Sequence, residues 1–119
     1  GVVMSVAKEM NMEQAVAICA SDKIQVGLGV AALVKGQQVA IFRLRDGSLH
    51  GISNFDPFSQ ANVMSRGITG SLKGRVVVAS PVYKQHFDLL TGVCLEDESV
   101  SIATFAVIER DGEVLVIGD

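Results

Sequence analysis

The 119-residue chain has no tryptophan, one tyrosine, two cysteines and two prolines, and only 19 % of it is charged. Each shortage excludes something. Two cysteines, Cys19 and Cys94, stand 75 positions apart and could form at most one disulfide. Neither has a second ligand of its own kind nearby, so no thiolate metal site is written in the spacing. Two buried thiols of a cytoplasmic protein are the simplest account of them. Ten Lys and Arg against 13 Asp and Glu leave a net charge of −3, which is no footprint for nucleic-acid phosphates or anionic lipid. No apolar run approaches the roughly 20 residues of a membrane-spanning helix. The opening residues carry Lys8, Glu9 and Glu13 among scattered apolar positions, without the basic start and unbroken apolar stretch of a secretory signal. A cytoplasmic protein is the expectation.

What the chain does have is β-branched bulk: 18 valines and 8 isoleucines, with 12 glycines and only six aromatic residues. Such residues pack well on pleated strands, and frequent glycine marks turns and bulges. The expected class is all-β. At this length one domain is the prior, and it buries about 65 % of its unfolded surface, enough for a core without staples. Residues 1–12 are expected to form a flexible N-terminus and 13–119 the domain.

Strands are predicted at Glu13–Cys19, Gly29–Val34, Gln38–Arg43, Ser48–Ser53, Arg75–Ala79, His86–Leu89, Thr104–Glu109 and Glu113–Ile117. Asp46-Gly47 and Asp111-Gly112 each lie between two apolar runs, which is a strong hairpin signal because glycine accepts the positive φ of a tight turn. Asn54 to Lys73, rich in Asn, Ser, Gly and Pro, lacks periodicity and reads as one long structured loop. Loops of that length inside a domain are uncommon and usually functional, so interest centres on Asn54 to Gly92.

Several motifs fail on their own terms. Gly27-Leu28-Gly29-Val30-Ala31-Ala32 fits the dinucleotide fingerprint, but a strand follows where the fingerprint needs a helix. A turn and a close strand approach explain its glycines better. Ser80, His86 and Asp88 contain the residue types of a nucleophilic triad, yet polar residues this close on extended chain do not converge, and no nucleophile elbow is present. His86 and His50 therefore read as partly exposed strand histidines. Glu96-Asp97-Glu98 is acidic but lacks the glycine-hinged frame of a calcium loop, so it reads as a solvated loop.

Two proline-containing segments remain. They are Ser53-Asn54-Phe55-Asp56-Pro57-Phe58, and the stretch from Ser80-Pro81-Val82-Tyr83 through Phe87-Asp88 to Thr91-Gly92. Together they resemble the two ligand loops of a Rieske-type iron–sulfur domain, with Asn54, Pro57, Pro81, Phe87, Asp88, Thr91 and Gly92 at the scaffold positions. The four ligand positions fall on Asp56, Phe58, Ser80 and Tyr83. A Rieske centre needs two thiolates and two imidazoles, and none of these four is a Cys or a His. This degenerate ligand set is similar to that of the small subunits of assimilatory NAD(P)H-dependent nitrite reductases. The similarity runs on through Ala40-Ile41-Phe42-Arg43, Ser65-Arg66-Gly67 and Cys94-Leu95-Glu96-Asp97.

The resemblance implies a Rieske-like fold of packed antiparallel sheets with no catalytic, cofactor or metal residue of its own. It implies a large-subunit partner holding FAD, sirohaem and an iron–sulfur cluster, which reduces nitrite to ammonium. The degenerate tip would present Phe55, Phe58, Arg66, Tyr83 and Lys84 to that subunit, although Phe58 serves equally well as filling for the volume a cluster would occupy. Two rival expectations stand beside it: a cluster-free accessory subunit of another oxidoreductase, and an electron carrier binding iron through Asp56, Tyr83 and His86.

Overall fold

The computed structural model of the protein describes residues 15–117; the flexible N-terminus expected over residues 1–12 lies outside the described residues. Eleven strands run in chain order: β1 (Ala15–Ala20), β2 (Val30–Val34), β3 (Gln37–Arg43), β4 (Leu49–Ser53), β5 (Phe55–Asp56), β6 (Ala61–Asn62), β7 (Ile68–Leu72), β8 (Arg75–Ala79), β9 (His86–Asp88), β10 (Thr104–Arg110) and β11 (Glu113–Ile117). The only helical pieces among the described residues are two 3-10 turns, Ser21–Lys23 and Met64–Arg66.

A six-stranded antiparallel sheet has the order β1-β11-β10-β4-β3-β2, and a three-stranded one the order β7-β8-β9. β5 and β6 form a short hairpin of their own. β3 explains why two cores exist. Successive side chains of a strand point to opposite faces, and in β3 all four central positions are apolar and buried. Ala40 and Phe42 enter one cluster with Ile52, Met64, Val78, Phe87, Leu89, Cys94 and Ile102, filling the space between the large sheet and the small one. Val39 and Ile41 enter the other with Ile24, Val34, Val114 and Val116, so the large sheet curls until β11 meets β3.

Both Asp-Gly hairpins form as expected, joining β3 to β4 and β10 to β11. At the far edge β1 pairs with β11, and Ala15 stands opposite Ile117. The long loop predicted over Asn54–Lys73 is a correction. It contains β5, β6, the second 3-10 turn and β7. β7 pairs with β8 from Ile68↔Ala79 to Leu72↔Arg75, through a turn in which Lys73 and Gly74 both take positive φ, 55° and 76°. Ile68-Thr69-Gly70-Ser71-Leu72 is an edge strand with its side chains largely in solvent. Its conformation comes from backbone pairing, which leaves no apolar alternation to read.

The glycine pattern at Gly27–Ala32 serves packing, as expected. A Cβ on Gly29 would lie 2.1 Å from the Ser65 carbonyl oxygen and 2.6 Å from Phe42 Cε1. β2, and no helix, follows it. Both cysteines are free; Cys94 is buried, but Cys19 is only half-buried, because β1 is a sheet edge.

Arg43, at the end of β3, clasps the end of the large sheet remote from residues 54–59 and 80–85. Its guanidinium donates to the carbonyls of Ile24 (2.7 Å), Ser21 (3.2 Å) and Gly47 (3.2 Å). It also pairs with the Glu109 carboxylate at 3.1 Å. Those hydrogen bonds, with one from Ser21, hold the Glu109 carboxyl below its usual range.

Candidate functional site

Three segments meet at the tip: residues 54–59, the 3-10 turn with Gly67, and residues 79–85. Asn54 is buried and works as the hub of the first two. Its amide Nδ2 donates to Gln38 Oε1 (3.0 Å), and its Oδ1 accepts from the Ser65 N–H (2.7 Å). Its own N–H donates to the Gln38 carbonyl, and its carbonyl accepts from the Met64 N–H. Gly67 lies against the second loop so closely that a Cβ there would be 2.4 Å from the Ala79 carbonyl oxygen.

Asp56 joins the loops. Its side chain, fully buried, accepts from the Phe58 N–H at 2.9 Å and from Ser59 Oγ at 2.9 Å within its own turn. From the second loop the equally buried Ser80 Oγ donates to Asp56 Oδ2 at 2.5 Å. Burial works to raise the Asp56 carboxyl, but the donors Ser80, Phe58 and Ser59 outweigh it and hold the group below its usual range. The second loop closes on itself: Ser80 N–H donates to the Gln85 carbonyl, and Lys84, at a φ of 66°, donates its N–H to the Ser80 carbonyl.

The four positions singled out by the resemblance thus divide. Asp56 and Ser80 meet inside. Phe58 is half-buried and packs against the core, its ring 6.1 Å from that of Phe87 and tilted by 47°, so it fills volume beneath the tip. Tyr83 is 61 % exposed, beside exposed Val82. Phe55 is also exposed, on the opposite face of β5 from Asp56. Arg66 and Lys84 are both exposed. Phe55 and Pro57 border a groove of about 450 Å³ with Gln38, Asn62, Ile102 and Phe105.

These residues do not fit a Rieske cluster. Phe58 has no donor atom, and Asp56 and Ser80 direct theirs at each other and at their own turns. Among the described residues no group of three or more His, Cys, Asp and Glu is placed to hold a metal ion. The rival iron set is not gathered either: Asp56 bonds to Ser80, while His86 Nδ1 pairs with Glu96 Oε2 at 2.7 Å. Nor is a triad assembled, since Asp88 Oδ2 pairs with Arg75 Nε at 2.6 Å. Glu96 stays exposed, as expected of a solvated loop, and from there receives both the ring and the N–H of His86. Sequence reasoning missed the parts played by Gln38 and Ser59. Asp56-Pro57-Phe58-Ser59 nevertheless carries a signal, because an Asp followed at two and three positions by an N–H and a hydroxyl is the pattern of a side-chain-capped turn.

The hydrogen-bonded carboxylates set the pH response. For Asp88 burial works upward, but the N–H groups of Leu90 and Thr91 and the Arg75 guanidinium prevail and lower it. The Glu96 carboxyl is lowered by His86 against the same opposition. A folded-state value below the unfolded one means stability that is complete above the unfolded value and lost as pH falls through the folded one. For these carboxyls the loss begins below about pH 4–4.5. His50 is also lowered, by burial of the imidazole against the opposing charges of Asp46 and Asp88. Its contribution is complete above about pH 6.5 and declines below it. Thermal melts from pH 8 to 3 should therefore show a small decline beginning near pH 6.5 and a steeper one below 4. His50→Gln should remove only the first.

The wider comparisons agree with this arrangement. A model of the Rieske-like 2Fe-2S domain matches residues 14–117. The nitrite reductase (NADH) small subunit of Salmonella typhimurium is 45 % identical over 102 residues, covering 85 % of this chain and 94 % of that one. The crystal structure of an NADH-dependent nitrite reductase small subunit from Mycobacterium tuberculosis aligns with a TM-score of 0.85 and 45 % identity, over 88 % of this chain and 95 % of that one. A nitrite reductase large subunit of Klebsiella oxytoca is 35 % identical over 84 % of this chain, which is 10 % of its own length. Two loops with Rieske scaffold residues, sheets in the matching arrangement and relatives that share both leave one assignment: this chain belongs to the Rieske-like domain family, among the nitrite reductase small subunits.

Proposed function

We propose that this chain is the cluster-free small subunit of a cytoplasmic NAD(P)H-dependent nitrite reductase serving nitrate and nitrite assimilation, and that it supports assembly or activity of the large subunit. The large subunit would carry FAD, sirohaem and an iron–sulfur cluster and perform the reduction to ammonium. This chain would contribute no catalytic residue. The observation that carries the reading is the pairing of a retained Rieske scaffold with Asp56, Phe58, Ser80 and Tyr83 at the ligand positions. Names of relatives add a partner: small subunits match along nearly their whole length, and a large subunit matches within one polypeptide.

The docking face in this reading is the tip, with Phe55, Arg66, Tyr83 and Lys84 turned to solvent. Rigid scaffolds place functional side chains on loops, and Tyr and Arg are the side chains most often central to interfaces. Arg66→Glu with Lys84→Glu should weaken association with the large subunit at least about tenfold while leaving the melting temperature of the isolated chain unchanged. Wild-type affinity in that double variant would remove the tip from the interface.

The role itself is tested by purifying the chain with its partners from the host grown on nitrate. A large flavin and sirohaem protein with nitrite-dependent NAD(P)H oxidation in the eluate is the expected result. Elution of a different redox enzyme would transfer the chain to that enzyme and leave its fold assignment intact.

A further inference from the structure

The disagreement between family and ligand set has a physical resolution. In a Rieske centre the cluster itself ties the two loops together, because each loop supplies ligands to it. Removing those ligands should leave two irregular loops with nothing between them. Yet the second loop here is as ordered by hydrogen bonds as the first, and the bond that joins them runs between two ligand positions, Asp56 and Ser80. We propose that the buried Asp56 carboxylate has taken over the loop-joining role of the cluster, receiving Ser80 from one loop and Phe58 and Ser59 from the other, so that the tip holds its shape without metal and independently of redox state.

Three features support this. No cation pairs with Asp56 among the described residues, so neutral donors alone compensate its buried charge, and each loop supplies some of them. A carboxylate in that position is held by charge-assisted hydrogen bonds, which are shorter and about twice as strong as neutral ones. Ser80 is placed to pass the link on: its Oγ accepts from the Val82 N–H at 3.3 Å, and its carbonyl and N–H close the loop through Lys84 and Gln85. Phe58, at a third ligand position, completes the replacement by packing on Phe87, so the space beneath the link is apolar and filled.

Amide hydrogen exchange on the full chain tests the proposal. Asp56→Ala and Ser80→Ala should each speed exchange at least tenfold in both loops, at Phe58 and Gln60 as well as at Val82 and Lys84, while β3, β4 and β10 keep their protection. The two changes together should do no more than either alone, and Ser80→Thr, which retains the hydroxyl, should behave as wild type. Loosening confined to the substituted loop, or effects that simply add, would overturn the proposal. If Asp56→Ala does not fold, Ser80→Ala decides by the same criterion. Treating the wild type with dithionite and an iron chelator should change nothing; lost tip protection after that treatment would mean that a metal holds the loops. None of these outcomes depends on which enzyme the chain serves.

Discussion

Phe87→Ala should lower the stability of the domain by about 3–5 kcal/mol, the usual range for truncating a buried Phe. Phe87 is fully buried, pairs opposite Val78 across β8 and β9, and carries the Phe58 ring on its outer side. Its removal opens a cavity between the two sheets directly beneath the tip. Set against a total of about 5–15 kcal/mol for a typical domain, the loss is a large fraction. Urea unfolding should show it as a lower midpoint with an unchanged slope, and the melting temperature should fall on the order of 15–25 °C. Phe87→Leu keeps most of the volume and should lose much less. A loss below about 1 kcal/mol in Phe87→Ala would mean that the neighbouring side chains collapse into the space, so that the two sheets are not held apart by this ring.

Gly92→Ala is the second change with a large expected effect, and its cause is backbone rather than volume. Gly92 takes a φ of +81°, and a Cβ on it would lie 2.0 Å from the Ile102 carbonyl oxygen. The same glycine accepts the Ile102 N–H and donates its own to the Asp88 carbonyl. A methyl group therefore pushes apart two segments that are hydrogen-bonded at that point. The left-handed conformation alone costs an L-residue about 1–2 kcal/mol, and the clash should bring the total to about 3 kcal/mol or more. Gly112→Ala separates the two contributions. Gly112 has nearly the same φ, +79°, but open space around its Cβ position, so only the conformational cost should appear. Equal losses at the two glycines would show that the segment around Ile102 yields without resistance.

These two residues also mark how far the sequence could be read. Phe87, Asp88, Thr91 and Gly92 stood out as scaffold positions by resemblance, and the structure gives each a reason that needs no cluster: core filling, a receiver for two N–H groups and Arg75, a capped turn, and a close backbone crossing. The hairpins at Asp46-Gly47 and Asp111-Gly112 were legible because turn chemistry and alternation agreed within a dozen residues. β7 was not, since an exposed edge strand is specified by its neighbour. At the tip, the four ligand positions could be named from sequence, but the bond between Asp56 and Ser80 spans 24 positions and depends on how the small sheet presents its loop. The packing of Phe58 on Phe87 was not legible for the same reason: it depends on where the small sheet places Phe87.

The opposition of Ala15 and Ile117 across the β1–β11 pair brings the chain into and out of this domain at neighbouring points, about 5 Å apart by strand spacing. A domain with adjoining ends is portable: another polypeptide can carry it by closing a short loop, at an entropic cost that grows slowly with loop length. The Klebsiella oxytoca polypeptide, matched over a tenth of its length, is what such portability permits. Covalent tethering replaces a diffusional encounter with an effective concentration that reaches the millimolar range for short linkers. A freely dissociating chain must reach the same occupancy through the affinity of its surface alone.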